Sequence, residues 1–193
     1  MKILRRIHYN SPVVLTFALL SLVVLICGKL TGGQLTTKLF CVYRSPLADV
    51  LTYPRFFLHV LGHSGYEHYI QNMLLLLVVA PPLEEKYGGK SLLVAIIITA
   101  FISGVIQWAV FPGQALLGAS GIVFMMIVMS SLAGMRDNSI PLTLILVAVF
   151  YLGKEALDGL FKYDNISQIT HLIGGVCGAV IGYALSGKKR VSQ

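Results

Sequence analysis

Apolar residues in this chain fall into long runs, with neither the strict alternation of a half-buried strand nor the heptads of a coiled coil. The first run covers residues 13–26, behind Lys2, Arg5 and Arg6. Five more cover residues 67–83, 91–111, 120–134, 140–153 and 170–185. Runs of this kind predict helices surrounded by lipid, because the hydrocarbon offers a backbone N–H no acceptor and a helix supplies its own. Six such runs predict an all-α membrane protein: one integral membrane domain over residues 1–193, six transmembrane helices, both termini on the same side.

The first run also has the basic flank and short apolar core of a secretory signal, and Cys27 invites a lipoprotein reading. Ile26 is too large for a lipoprotein cleavage site, no A-x-A-like site follows, and the rest of the chain is itself apolar, so the run is taken as a helix. Residues 29–67 lack a spanning pattern but carry Phe40, Tyr43, Tyr53, Phe56, Phe57 and Tyr66. A connection of that length is rarely structureless, so short helices lying in the interface are expected. The second helix is expected to end at Pro81-Pro82, with Glu84 and Glu85 beyond it pairing with Lys86 or Lys90.

Two runs are short for their task. The fourth and fifth fall below the ~20 residues that cross the hydrocarbon. The fourth can be short only if its N-terminal end stops below the membrane surface, in a cavity that hydrates the irregular backbone of residues 112–119. Ser120, which opens it, would then lie at the floor of a water-filled depression.

Composition agrees with a lipid setting: of 193 residues, 56% are hydrophobic and only 12% charged. The excess of 15 Lys and Arg over 8 Asp and Glu would point to nucleic acid in a soluble protein. Here the basic residues sit at the ends of apolar runs and act as topology signals. Lys2, Arg5, Arg6, Lys86, Lys90, Arg136, Lys188, Lys189 and Arg190 fall on one side; Lys29, Lys38, Arg44, Arg55, Lys154 and Lys162 fall on the other. That bias predicts cytoplasmic termini, with Lys188, Lys189 and Arg190 on anionic headgroups. Cys27, Cys41 and Cys177 are odd in number and make no disulfide framework.

Candidate chemistry centres on Gly118-Ala119-Ser120-Gly121, where an irregular Pro/Gly stretch meets the fourth run. First-turn N–H groups have no intrahelical acceptor, and the helix dipole adds positive charge, so an oxyanion beside Ser120 would be stabilised. Gly118 and Gly121 let a substrate or another backbone approach. His171 opens the sixth run, and Gly174, Gly178 and Gly182 follow it on the same face, which must press on a neighbouring helix. If that neighbour is the fourth helix, imidazole meets hydroxyl and the pair reads as nucleophile and general base. His68 and Asn72 share a face of the second helix and could both donate to a developing oxyanion. Each feature alone also fits helix packing: a small-residue motif, a histidine at the end of a glycine zipper, a polar pair between helices.

Together they resemble the rhomboid intramembrane serine proteases. The likeness rests on Gly118-Ala119-Ser120-Gly121, on His171 with Gly174 and Gly178, and on His68-Tyr69-Ile70-Gln71-Asn72. His59 and His63 precede these as in the family's histidine-rich entry to its second helix, and Leu83-Glu84-Glu85-Lys86-Tyr87-Gly88 resembles the segment that closes it. The resemblance covers about residues 55–185. It implies a six-helix bundle with a membrane-associated first loop, and intramembrane endopeptidase activity on single-span or polytopic membrane proteins. Ser120 would be the nucleophile and His171 its base, a dyad without an aspartate. His68, Asn72, the Ser120 backbone N–H and Gly118 would form the oxyanion site. Phe124 corresponds to an aromatic that stacks on the histidine, often a tyrosine in the family. The family's first-loop Trp-Arg pair is Pro54-Arg55 here. Resemblance also implies that a substrate helix enters past the fifth helix and that the 153–167 connection caps the cavity.

No cofactor, metal or nucleic acid is implied, and the six-span pattern with no soluble domain before it leads to a prokaryotic plasma (inner) membrane. Two other classes compete. His59-x-x-x-His63 has metal-ligand spacing, but Val60 stands where a zinc protease H-E-x-x-H has glutamate. A catalytically inactive rhomboid-like binder or chaperone of membrane helices would typically lack the serine or the histidine, and this chain keeps both.

Overall fold

The computed structural model describes residues 9–133 and 165–188, with scattered positions between 140 and 150. Helix α1, Pro12–Leu30, starts with proline, whose missing N–H would have had no helical partner anyway. The next two donors are satisfied from another element. Val13 N–H donates to Glu84 Oε1 at 2.9 Å and Val14 N–H to Glu84 Oε2 at 3.0 Å. The expected pairing of Glu84 with Lys86 or Lys90 is therefore replaced by a buried carboxylate that caps the positive end of α1. Lys86 Nζ meanwhile donates to the carbonyl of Ala133.

Short helices do occur in the first connection: α2, Gln34–Leu39, and α3, Thr52–Leu58, which runs into a 3-10 turn at His59–Leu61. Arg55 holds this connection together. Only 3% exposed, it pairs with Asp49 at 2.9 Å, donates Nε to the Lys38 carbonyl at 2.8 Å and lies 4.7 Å over the Tyr43 ring. A second arginine, Arg44, donates to the carbonyls of Trp108 and Ala109, both at 3.0 Å. Those carbonyls belong to a helix end with no intrahelical donors left for them. Around these anchors Leu47, Val50, Tyr53 and Phe57 are exposed, as an interface-lying segment requires.

Helix α4, Tyr66–Tyr87, does not stop at Pro81-Pro82 but continues through both prolines. The two missing N–H groups remove helical bonds, yet tertiary packing of the next turn holds it helical. Leu83 is 1% exposed, and Glu84 is anchored on α1. Helix α5, Gly89–Val110, and helix α6, Ser120–Ala133, follow. The last helix, α7, spans Asn165–Lys188. It begins six residues before His171, so His171 does not open it as expected but sits in its second turn.

Among the described residues, three helices are long and apolar enough to cross a membrane: α1, α5 and residues 169–186 of α7. Helix α6 is equally apolar but only 14 residues long. The expected fifth span, residues 140–153, and the connection 153–167 lie largely outside the described residues.

Short α6 forms the centre of the bundle. Ile122, Met125, Met126 and Met129 are all essentially inaccessible, packed among α4, α5 and α7. The α6–α7 contact is closest. A β-carbon on Gly174 would stand 2.2 Å from the Gly121 carbonyl oxygen, and one on Gly178 2.4 Å from that of Met125. Nothing larger than glycine fits at those crossings, which is how α7 comes within reach of the first turn of α6.

Candidate active site

Residues 111–119 form the irregular lead-in to α6. Part of its backbone is satisfied by protein. Leu116 and Val42 exchange two hydrogen bonds at 2.8 and 2.9 Å, Gly118 N–H donates to the His59 carbonyl at 2.9 Å, and Gln107 Nε2 donates to the Gln114 carbonyl at 3.1 Å. First-loop elements thus hold the turn before Ser120 in place.

Ser120 itself is half-buried at the start of α6. The first helical bond here runs from Val123 N–H to the Ala119 carbonyl at 2.9 Å. The N–H groups of Ser120, Gly121 and Ile122 therefore stand outside the helical pattern, at the positive end of the helix dipole.

Helix α7 brings its face onto this turn. Thr170, 3% exposed, packs its methyl where a β-carbon of Gly121 would be, 2.9 Å away, and Gly174 meets the Gly121 carbonyl. His171, next to Thr170, sets its ring 6.1 Å from that of Phe124 at a 44° tilt. Gly175, a residue that sequence reasoning passed over, makes room for this. A β-carbon there would lie 2.8 Å from Phe124 Cε1. The residues set against one another at this crossing are Gly121 and Phe124 on one side and Thr170, His171, Gly174 and Gly175 on the other, with Ser120 one turn before Phe124 on α6.

From the third side comes α4. The His68 ring occupies the space that a side chain at Gly118 would need, with both Cε1 and Nε2 2.8 Å from the β-carbon position. Gly118 has φ +127°, a conformation that favours glycine for a second reason. Asn72, on the same face and buried, donates one carboxamide N–H to the His68 carbonyl at 2.9 Å. Ser64 Oγ lies 3.2 Å from His68 Nδ1, a contact the sequence marks only by its i,i+4 spacing.

The two upstream histidines have defined roles in the architecture. His59 is fully buried with Nε2 donating to the Ala100 carbonyl at 3.0 Å, and burial pushes its pKa down to about 4. His63 donates Nδ1 to the Leu61 carbonyl at 3.2 Å and stacks edge-on against His68 with ring centroids 5.0 Å apart. Burial, then the neighbouring His68, lowers its pKa to about 4 as well. Both rings are neutral, each with one N–H committed to a backbone carbonyl.

A model of the rhomboid domain matches residues 51–188. The rhomboid protease GlpG of Salmonella typhi is 26% identical over 186 residues, covering 93% of this chain and 66% of that protein. The GlpG proteins of Salmonella newport (strain SL254) and Salmonella typhimurium match with the same identity and coverage. The chain spans 66% of the length of these relatives. The matched rhomboid domain runs from the start of α3 to the end of α7, through the His68, Ser120 and His171 elements alike, and the chain belongs to the rhomboid family.

Proposed function

We propose that this protein is an intramembrane serine endopeptidase that cleaves membrane-embedded segments of other proteins with Ser120 and His171. The observation that carries the reading is the α6–α7 crossing. Gly174 against Gly121, Thr170 beside Gly121 and the His171 ring over Phe124 bring an imidazole to the helix turn that begins with a serine. In this reading His171 accepts the Ser120 proton as Oγ attacks the scissile carbonyl carbon. The resulting oxyanion takes hydrogen bonds from the Ser120 N–H, the His68 ring and Asn72, with Gly118 leaving room for the His68 ring. His171 then protonates the leaving amine, and water releases the acyl group from Ser120 by the same steps reversed. In this reading the imidazole is positioned by packing beside the Phe124 ring, itself seated over Gly175.

Substrates in this reading are single-span or polytopic membrane proteins. Their helices must unwind locally, because a helix's own hydrogen bonds shield the carbonyl to be attacked. The bundle is read as six spans in a prokaryotic inner membrane with cytoplasmic termini, with substrate entering past the fifth span and the 153–167 connection capping the cavity.

The test is reconstitution in liposomes with a model single-span substrate. Wild type should cleave and label with a fluorophosphonate probe at Ser120; Ser120→Ala and His171→Ala should do neither. Unlabelled wild type that still captures membrane helices would instead establish an inactive binder.

A further inference from the structure

His68 is held from two sides. Its Cε1–Nε2 edge faces Gly118, where a β-carbon would lie 2.8 Å from both atoms and 4.0 Å from Nδ1. The opposite nitrogen, Nδ1, lies 3.2 Å from Ser64 Oγ. A neutral imidazole has one proton for two nitrogens, so the partner on one side decides what the other side can do. Ser64 is exposed and borders an open pocket of about 470 Å³ lined also by Leu25, Lys29, Thr36, Thr37, His63 and Leu117. Solvent there lets the Ser64 oxygen accept a hydrogen bond while its proton is directed at the ring.

We propose that Ser64 is a positioning residue for His68: its O–H donates to Nδ1 and places the ring proton on Nε2, the nitrogen that faces the Gly118 turn. The reverse assignment, with Nδ1–H donating to Ser64, would leave a lone pair on Nε2, which repels an oxyanion. One further contact limits the ring's freedom to turn over: His63 packs edge-on against it, ring centroids 5.0 Å apart. Ser64 thus does for the oxyanion donor what an orienting second group does for a metal-bound or catalytic histidine: it fixes the tautomer. The inference rests on the reading that His68 donates to the oxyanion.

The experiment combines a spectrum with kinetics. Protein with ¹⁵N-labelled histidine, reconstituted in lipid, gives separate signals for protonated and bare ring nitrogens, and the His68 pair is identified by its loss in His68→Gln. Wild type is expected to show protonated Nε2 and bare Nδ1. Ser64→Ala should shift both signals towards a mixture and lower kcat about fivefold with KM unchanged, the size of one neutral hydrogen bond; Ser64→Thr should restore both. A protonated Nδ1 in wild type overturns the proposal, as does a Ser64→Ala variant that alters neither the spectrum nor kcat, or only one of them. Should Ser120→Ala still cleave, the protease reading fails on its own, and the spectrum alone then decides whether Ser64 sets the His68 tautomer.

Discussion

Gly174 of α7 meets Gly121 of α6 so closely that a β-carbon on the first would sit 2.2 Å from the carbonyl oxygen of the second. Backbone on backbone is the tightest contact two helices can make, and it fixes the height of His171 relative to Ser120. Alanine at 174 cannot be absorbed by rotating a flexible side chain, since the obstructing atom is main chain. Gly174→Ala is expected to lower stability by about 1–3 kcal/mol, the usual cost of overpacking, and to reduce cleavage further than the stability loss explains. Unfolding in mixed micelles, alongside activity at a temperature where the variant is fully folded, separates the two. Activity and stability both at wild-type level would show that the crossing is looser than described.

The oxyanion assignment carries its own prediction. His68→Ala and Asn72→Ala should each fold and lose about 100- to 1000-fold in kcat, the usual effect of removing one oxyanion donor. His68→Ala should be the more severe, because Asn72 already commits one N–H to the His68 carbonyl while the His68 Nε2 edge lies against the Gly118 turn. Single-turnover cleavage in liposomes gives the comparison. Full activity in the double variant would remove both residues from the machinery.

Glu84 offers a test that does not involve catalysis. Its two oxygens take the Val13 and Val14 N–H groups at 2.9 and 3.0 Å, so α1 begins on a side chain from α4. Glu84→Ala leaves both donors without an acceptor in a buried setting and should cost about 2–3 kcal/mol. Glu84→Gln keeps one acceptor and should cost roughly half as much. If instead Glu84 served Lys86 or Lys90 through charge alone, the two variants would be equally destabilised and raising salt would mimic them.

What the sequence allowed and withheld follows from the kind of interaction involved. Ser120 at the start of a short helix, the Gly174–Gly178–Gly182 face and the His68–Asn72 pair were legible because each is a local pattern read against one solvent. The continuation of α4 through Pro81-Pro82 was not. Proline's cost is local, while the compensation, Glu84 reaching α1 and Leu83 in the core, joins residues about 70 positions apart. The same reasoning covers Arg55, whose partners Lys38, Tyr43 and Asp49 come together only once the first connection has folded. Gly175 and Ser64 were missed for a simpler reason: a second glycine beside Gly174 and a serine in a turn carry no pattern until the Phe124 and His68 rings are placed on them.

Acid should destabilise the first connection through its two histidines. His59 and His63 have pKa values of about 4 in the folded protein, against 6.5 for an ordinary histidine, because burial opposes the charged form. A depressed folded pKa means that the unfolded chain binds the proton first, so stability is complete above about 6.5 and falls as pH drops from there towards 4. For fully buried His59 the loss is on the order of 3 kcal/mol once the site is protonated. His59 Nε2 already donates to the Ala100 carbonyl, so a second proton must enter at the buried Nδ1, which has no partner among the described residues. Thermal unfolding of the lipid-reconstituted protein at steps between pH 7.5 and 4 should show a midpoint that declines below 6.5. His59→Gln should start lower and decline less, because it removes one of the two titrations. A wild-type midpoint that is flat across this range would mean that neither ring is as dry as its surroundings make it.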